Sequence, residues 1–246
     1  MTVAQVSIII PVLNEASCLN RTLCHLDILE PPAHEIIVVD GGSTDATVTI
    51  AKDKGATVVT THQPGRARQM NLGAKLATGN ILCFLHGDTR VPDDLVMLMD
   101  KTLANPDIAC GGFISVMAGP YTTRWGISLH NTLKTHYAAL LFRPRCYFRD
   151  RLRILFGDQV MFCRQVDFWS CGGFDDTLAI MEDADLCLKL SKLGRIYQIN
   201  RLVQSSDRRV AKWGPLKANF LYLVIGFLWG IGVSSRWLKR FYEDVR

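Results

Sequence analysis

Hydrophobic and polar positions in the first hundred residues follow two alternating periods. Apolar residues recur with helical spacing in several segments, for example at Leu19, Leu23 and Leu26. Short apolar runs typical of buried strands separate those segments, at residues 7–10, 35–39, 57–60 and 80–85. This alternation predicts an α/β protein whose mostly parallel sheet is flanked by helices.

The pattern is less regular in the second half of the chain. It predicts a strand over residues 108–116, a short strand over 160–163 and a helix that begins near Glu182. Between them, residues 121–155 mix aromatic, basic and apolar side chains without a clear period, which fits either a long loop or helices. Five arginines lie between residues 143 and 153, and they suit an anionic acceptor, a membrane contact or a solvated basic loop.

The C-terminal segment has a composition of its own. A basic stretch over residues 201–217 leads into 18 uncharged residues, 218–235. We therefore expect one α/β domain over residues 1–210 and a basic and apolar helical tail over 211–246. We favour a tail that lies in a membrane interface. A helix packed on the domain or between subunits, and a true membrane span, are the alternatives.

The composition excludes several classes of protein. The chain has 246 residues, of which 48% are hydrophobic and 21% charged, so disordered, collagen-like and solenoid proteins are excluded. The formal net charge of +5 suits phosphorylated ligands or an anionic membrane better than nucleic acid. Eight cysteines without a CxxC pair, and an N-terminus without a basic leader, predict a cytoplasmic protein.

Acidic residues stand where two of the predicted strands end. Asp40 follows the strand over residues 35–39, and Asp88 follows the strand over residues 80–85. Open parallel sheets bind ligands beyond the carboxyl ends of their strands. We therefore expect both carboxylates in one ligand site.

Several ordered motifs carry a family resemblance. They are residues 8–15 (IIIPVLNE), 38–45 (VVDGGSTD), 65–71 (GRARQMN), Asp88, 173–175 (GFD) and 182–183 (ED). Together they resemble the family 2 glycosyltransferases of the GT-A fold, a Rossmann-like architecture, over roughly residues 5–210. The resemblance implies inverting transfer of a sugar from a nucleotide-sugar, with a UDP-sugar favoured, to an acceptor nucleophile. A looser likeness points to a bacterial subgroup associated with arsenosugar biosynthesis.

The same resemblance implies a divalent metal ion, Mg²⁺ or Mn²⁺. A departing diphosphate gains negative charge, which a metal held by carboxylate and diphosphate oxygens stabilises. Many relatives have Asp-x-Asp at this position, whereas this chain has His86-Gly87-Asp88. Asp88 is therefore the candidate metal ligand, without the usual first carboxylate.

The resemblance also implies a set of residues that bind the donor. They are Pro11, Asn14, Glu15, Asp40, Arg66, Arg68, Asn71, Gly87, Asp88, Arg208 and Arg209. Asp40 is expected to accept hydrogen bonds from a uracil or ribose edge, whereas Asn14 also fits a helix cap. Arg208 and Arg209 suit a diphosphate, but they equally suit lipid headgroups.

Inversion in a single displacement requires a base on the acceptor side. Asp183 matches the position of the base in the family, and Glu182 adjoins it. Asp158 matches an active-site position in relatives and completes the catalytic candidates. The plain alternative is that Glu182 and Asp183 are ordinary acids in the first turn of a helix.

The acceptor class and two other functions stay open at this point. The acceptor is expected to be either lipid-linked, such as a polyprenyl phosphate, or a small soluble molecule. Peripheral contact with the inner face of the cell membrane is expected, and nucleic-acid binding is not. One alternative is a non-catalytic, membrane-associated nucleotide-binding protein of the same fold. The other is a sugar nucleotidyltransferase, which would carry a glycine-rich loop where this chain has residues 11–15 (PVLNE).

Overall fold

The computed structural model describes residues 4–61, 63–119, 122–142, 144–150 and 152–242. Its strands are β1 (Val6–Val12), β2 (Glu35–Asp40), β3 (Thr57–Thr60), β4 (Ile81–Phe84), β5 (Ile108–Ala118), β6 (Met161–Arg164) and β7 (Arg195–Ser206). They form one sheet in the order β3-β2-β1-β4-β6-β5-β7. Only β6 runs antiparallel to its neighbours β4 and β5. The predicted mostly parallel sheet is therefore confirmed.

β1 lies between two parallel strands and is buried on both faces. Ile8, Ile9 and Ile10 have no exposed surface. Side chains alternate across a strand, so Ile8 and Ile10 join the core on one face and Ile9 joins the core on the other. The continuous apolar run is thus the pattern of a strand that is covered by helices on both sides.

Helices pack on both faces of this sheet. Those before β5 are α1 (Ala16–Leu26), α2 (Thr47–Asp53), α3 (Arg66–Leu76) and α4 (Leu95–Leu103). Those after it are α5 (Trp125–Phe142), α6 (Pro144–Asp150), α7 (Gln165–Ser170), α8 (Glu182–Leu190), α9 (Arg208–Trp213), α10 (Pro215–Gly230) and α11 (Ser235–Leu238). α3 lies so close to β1 that a Cβ at Gly73 would meet Cγ2 of Ile9 at 2.4 Å.

The irregular segment between β5 and β6 contains two helices, α5 and α6. α5 carries apolar side chains on both sides, since Ile127 is buried whereas Leu129 and Leu133 are more than half exposed. That distribution weakens the amphipathic contrast from which a helix is read in a sequence. Two of the arginines in this segment, Arg143 and Arg151, lie outside the described residues.

The C-terminal tail packs against the rest of the protein. Ala218 and Ile225 of α10 are buried, and α10 contacts α5 and α9. The predicted boundary at residue 210 falls inside α9. Among the helices of the described residues, none combines the length and the apolar character that crossing a bilayer requires.

Candidate active site

A cavity of about 910 Å³ opens beyond the carboxyl ends of β1 and β4. The loops after these strands, the start of α3, the turn at Gly157–Gln159 and the start of α8 all line it. The C-terminal tail closes part of it through Tyr222, Gly226 and Tyr242. Segments that are far apart in the sequence therefore converge on one site.

Arg208 joins two carboxylates in this cavity. Its Nη2 donates hydrogen bonds to Oε2 of Glu15 at 2.8 Å and to Oδ2 of Asp88 at 2.9 Å. Glu15 follows β1, Asp88 follows β4 and Arg208 begins α9. We call Glu15 and Asp88 the carboxylate pair. Two acids from neighbouring strand ends thus share one positive charge.

The carboxylate pair suits a divalent cation that arrives with its substrate. Within the described residues, no group of three or more His, Cys, Asp or Glu side chains is placed to hold a metal ion. Mg²⁺, however, is usually held by one or two carboxylates together with substrate phosphates. The guanidinium nitrogen of Arg208, within 2.9 Å of both acids, marks a position where they accept a cation. The residues present therefore fit a metal site that a diphosphate completes.

His86 occupies the position of the missing carboxylate and supports an arginine. Nη1 of Arg66 lies 3.3 Å from Nε2 of His86, and Nε of Arg66 lies 2.9 Å from Oε1 of Glu182. A guanidinium can only donate, so Nε2 accepts and the ring proton is assigned to Nδ1. Burial, with the charge of Arg66, lowers the pKa of His86 to about 4. The neutral ring therefore helps to position Arg66.

Asp183 is a buried carboxylate at the start of α8. Burial and the adjacent charge of Glu182 raise the pKa of Asp183 from 3.8 to about 7. The Gly157 amide donates a hydrogen bond to it, and a Cβ at Gly157 would approach Oδ2 of Asp183 to 2.5 Å. A carboxylate with a pKa near neutrality is suited to accept a proton and release it again.

Two residues of α5 belong to the site and were missed by the sequence analysis. Nδ2 of Asn131 donates to Oδ2 of Asp158 at 2.9 Å, and Nζ of Lys134 donates to Oδ1 of Asn131 at 3.3 Å. Nζ also lies 3.7 Å from the centroid of the Phe156 ring, and burial lowers the pKa of Lys134. The sequence signal for them is the spacing of Asn131 and Lys134, three residues apart in an apolar segment, which places them on one face of a helix. From the sequence alone, that segment was not assigned to a helix.

The structure differs from the expectation for Asp40. This residue is 1% exposed and does not line the cavity. Its carboxylate accepts hydrogen bonds from the amides of Gly42 and Ser43, at 3.0 and 3.1 Å. These hydrogen bonds hold the loop after β2 in shape.

Asn14 and Asn71 likewise hold the framework together. Oδ1 of Asn14 accepts a hydrogen bond from the amide of Thr44 at 2.9 Å, which joins the loops after β1 and β2. Asn71 accepts from the amide of Phe174 at 3.0 Å and donates to its carbonyl at 2.8 Å. Neither asparagine lines the cavity. The structure places both in contacts within the protein, and their role in donor binding stays a prediction.

The other residues expected to bind the donor do line the cavity. They are Pro11, Glu15, Arg66, Arg68, Gly87, Asp88, Arg208 and Arg209. The guanidinium of Arg209 lies 4.2 Å from the ring centroid of Tyr242, so the tail helps to hold it. The catalytic candidates Asp158, Glu182 and Asp183 line the same cavity.

Sequence comparison assigns the chain to a family. The profile of glycosyl transferase family 2 matches residues 7–168, which is more than half of the chain. The protein therefore belongs to this family, and the resemblance in its motifs is confirmed. The likeness to the arsenosugar subgroup stays a prediction.

Curated relatives match part of the chain. An uncharacterised glycosyltransferase of Mycobacterium tuberculosis is 31% identical over 107 residues, which are 43% of this chain and 47% of that protein. The glucosyl-3-phosphoglycerate synthase of Mycolicibacterium smegmatis is 30% identical over 116 residues, which are 44% of this chain and 37% of that protein. The match thus spans less than half the length of these relatives.

Solved structures share the architecture. The glucosyl-3-phosphoglycerate synthase of Mycobacterium tuberculosis, in complex with Mn²⁺, UDP and glucosyl-3-phosphoglycerate, has a TM-score of 0.66 and 20% identity, covering 94% of this chain and 81% of that chain. The mannosyltransferase PcManGT of Pyrobaculum calidifontis, in complex with GDP-Man and Mn²⁺, has a TM-score of 0.68 and 19% identity, covering 99% of this chain and 66% of that chain. At such identities the likeness establishes the fold, which confirms the GT-A type of sheet.

Proposed function

We propose that this protein transfers a sugar from a nucleotide-sugar to an acceptor nucleophile, with inversion at the anomeric carbon. One observation carries the proposal. A single cavity holds the carboxylate pair, bridged by the guanidinium of Arg208, and, separately, the buried carboxylate of Asp183 with its raised pKa. The reaction needs a counterion for the departing diphosphate and a base for the incoming hydroxyl. Family membership, and neighbours crystallised with Mn²⁺ and UDP or GDP-Man, support it.

At the donor end, Arg208 and Arg68 bind the diphosphate. Glu15 and Asp88 would hold Mg²⁺ or Mn²⁺, which would neutralise the charge that develops as the bond between sugar and diphosphate breaks. Arg208 balances both acids, since it donates to each of them. When the acids have another counterion, its guanidinium is available to phosphate oxygens. Arg68 lines the same cavity, and its guanidinium can donate a second pair of N–H hydrogen bonds to the phosphate oxygens.

At the acceptor end, Asp183 acts as the base. The proton of the acceptor hydroxyl moves to a carboxylate oxygen of Asp183 while the acceptor oxygen forms its bond to the anomeric carbon. The electron pair of the breaking bond leaves with the diphosphate, so one displacement inverts the centre. Glu182 acts through Asp183, because its charge raises the pKa of that neighbour. Asp158 acts as a positioning residue through Asn131.

Calorimetry with UDP and Mn²⁺, followed by turnover of a donor panel, tests the proposal. We expect Mn²⁺-dependent UDP binding that Asp88→Ala weakens at least about tenfold, since one of the two metal-binding carboxylates is lost. Asp100→Ala is the matched control, because Asp100 is exposed on α4. Asp183→Asn should retain UDP binding while transfer falls by about 10² to 10⁴.

Two results would contradict the proposal. Binding of UDP without turnover of any nucleotide-sugar would favour the non-catalytic protein. Release of pyrophosphate from a nucleoside triphosphate and a sugar phosphate would favour the nucleotidyltransferase.

We further propose that the tail makes peripheral contact with the inner face of the cell membrane. One face of α10 carries a row of apolar side chains, each more than half exposed: Leu216, Phe220, Leu223, Phe227 and Ile231. Their spacing of three to four residues places them in one stripe. The neighbouring α5 adds exposed Leu129 and Leu133. Exposed Lys217 and Arg240 suit an anionic lipid surface.

Sedimentation with phosphatidylglycerol vesicles tests this contact. The double variant Phe220→Glu with Phe227→Glu should lower the bound fraction at least about tenfold, because it places two charges in the apolar stripe. Met97→Glu is the matched control, since Met97 is a half-exposed apolar residue on α4. Equal binding of the double variant and the control, or no binding by the unmodified protein, would contradict the contact.

A further inference from the structure

A second, smaller cavity adjoins the candidate active site. It has a volume of about 120 Å³ and lies between α5 and α10. Lys134, Phe156, Met181, Tyr222 and Gly226 line both cavities, so the two spaces share a wall. We call the smaller space the side cavity.

The side cavity is apolar apart from the lysine at its junction with the main cavity. Its remaining lining includes Ala138, Ile154 and Trp229. A cavity of about this size with apolar walls stays dry and can bind a molecule as large as benzene. It is therefore suited to a short hydrocarbon segment.

Lys134 gives that junction a positive charge. Among the described residues, its Nζ donates one hydrogen bond, to Oδ1 of Asn131, and an ammonium has three donors. The Phe156 ring lies beneath it at 3.7 Å. The charge of Asp158 acts on Lys134, but the Asp158 carboxylate accepts its hydrogen bond from Asn131. An anionic group in the main cavity would supply the missing acceptors.

The position of Lys134 puts this junction on the acceptor side. Lys134 connects to Asp158 through Asn131, and the charge of Asp158 acts on the Asp183 carboxyl. Arg208 and the carboxylate pair, which serve the donor, form a separate group in the same cavity. A ligand at Lys134 therefore approaches the base instead of the diphosphate site.

The side cavity also borders the surface of the tail. Leu223 and Phe227 line it, and both belong to the exposed apolar stripe of α10. Apolar side chains therefore extend from the exposed stripe to the lining of the side cavity. This favours an acceptor with a hydrocarbon chain over a small soluble one.

We propose that the side cavity is an acceptor subsite, in which Lys134 binds an anionic group and the apolar walls hold the hydrocarbon attached to it. The proposal rests on the proposed function, since it names the acceptor class for the same site. Each buried methylene contributes about fourfold in affinity. A segment of about four methylenes therefore contributes on the order of a hundredfold.

Gly226 offers a variant that narrows the side cavity where it adjoins the main cavity. A Cβ at this position meets no atom within 4 Å, although the residue lines the cavity. Gly126, in the first turn of α5, is the matched control, because its Cβ also meets nothing within 4 Å and it does not line either cavity. Both substitutions replace a glycine within a helix by leucine, which has the higher helix propensity.

The experiment measures binding of hexyl phosphate, hexanol and inorganic phosphate by calorimetry. The unmodified protein should bind hexyl phosphate about a hundredfold more tightly than inorganic phosphate. Gly226→Leu should remove most of this difference, and Gly126→Leu should keep it. Lys134→Met should weaken hexyl phosphate at least about tenfold and leave hexanol unchanged, because it removes charge and keeps the apolar stem.

Three outcomes would overturn the subsite. They are equal affinity for hexyl phosphate and inorganic phosphate, equal effects of Gly226→Leu and Gly126→Leu, and unchanged hexyl phosphate binding in Lys134→Met. Gly226→Ala, with a smaller side chain, serves if the leucine variant does not fold, and it should show part of the same loss. Binding of UDP with Mn²⁺ is measured in parallel. Absence of UDP binding would count against the proposed function. The subsite is tested separately, by the affinities for hexyl phosphate, hexanol and inorganic phosphate.

Discussion

Replacing Asp183 by asparagine should make the protein more stable while it removes the base. The side chain is buried, and burial together with Glu182 raises its pKa from 3.8 to about 7. Ionisation of this group therefore costs the folded state free energy. Asparagine has nearly the same shape, and its oxygen can still accept the hydrogen bond from the Gly157 amide, but it carries no charge.

The magnitude and sign follow from linkage. One pKa unit corresponds to about 1.4 kcal/mol, so a rise from 3.8 to about 7 amounts to about 4 kcal/mol. Because the folded state binds the proton more tightly than the unfolded chain, this contribution to stability is present at low pH. It is lost as the pH rises from about 4 to about 7. About 2 to 3 kcal/mol of the loss falls between about pH 5 and pH 8.

The free energy of unfolding, measured with urea at about pH 5 and pH 8, tests this reasoning. The advantage of Asp183→Asn over the unmodified protein should grow by about 2 to 3 kcal/mol between the two conditions. Asp185→Asn is the control from the same turn, since Asp185 pairs with Lys189 at 2.8 Å. Its effect should be about 0.5 kcal/mol or less at both pH values. If the advantage of Asp183→Asn is the same at both, the buried carboxylate does not have the environment assigned to it.

Three further predictions concern the framework of the site. Arg208→Gln should let the nucleotide-free protein bind Mn²⁺ about tenfold more tightly, measured by calorimetry, because two adjacent carboxylates lose their counterion; unchanged or weaker binding would contradict this. Gly157→Ala should lower transfer at least about tenfold in a turnover assay, since its Cβ would reach within 2.5 Å of Asp183; full activity would show that the turn can move aside. Gly73→Ala should lower the free energy of unfolding by about 1 to 3 kcal/mol, because its Cβ would meet Ile9 at 2.4 Å; an unchanged urea midpoint would contradict the close packing of α3.

Much of the fold was predictable because its signals are local. Buried strands of the parallel region appear as continuous apolar runs, as in Ile8, Ile9 and Ile10. The order of strands and helices then limits the sheet to a few topologies. Asp88 at a strand end was expected in the site for the same reason, and it lines the cavity. α5 was not recognised, because its apolar residues lie on both sides of the helix.

Local patterns in the sequence are enough to predict the alternation of strands and helices and the chemical types of the residues at the strand ends. Which of those residues face the cavity depends on how the elements pack. Arg208 meets Glu15 across 193 positions of the chain, and Asn71 meets Phe174 across 103. Such contacts leave no periodic signal, so Asn71 could not be told from a ligand-facing residue, nor Lys134 from a surface lysine. The physical reason is that a side chain's local pattern sets its backbone conformation, whereas its partners depend on how distant segments pack.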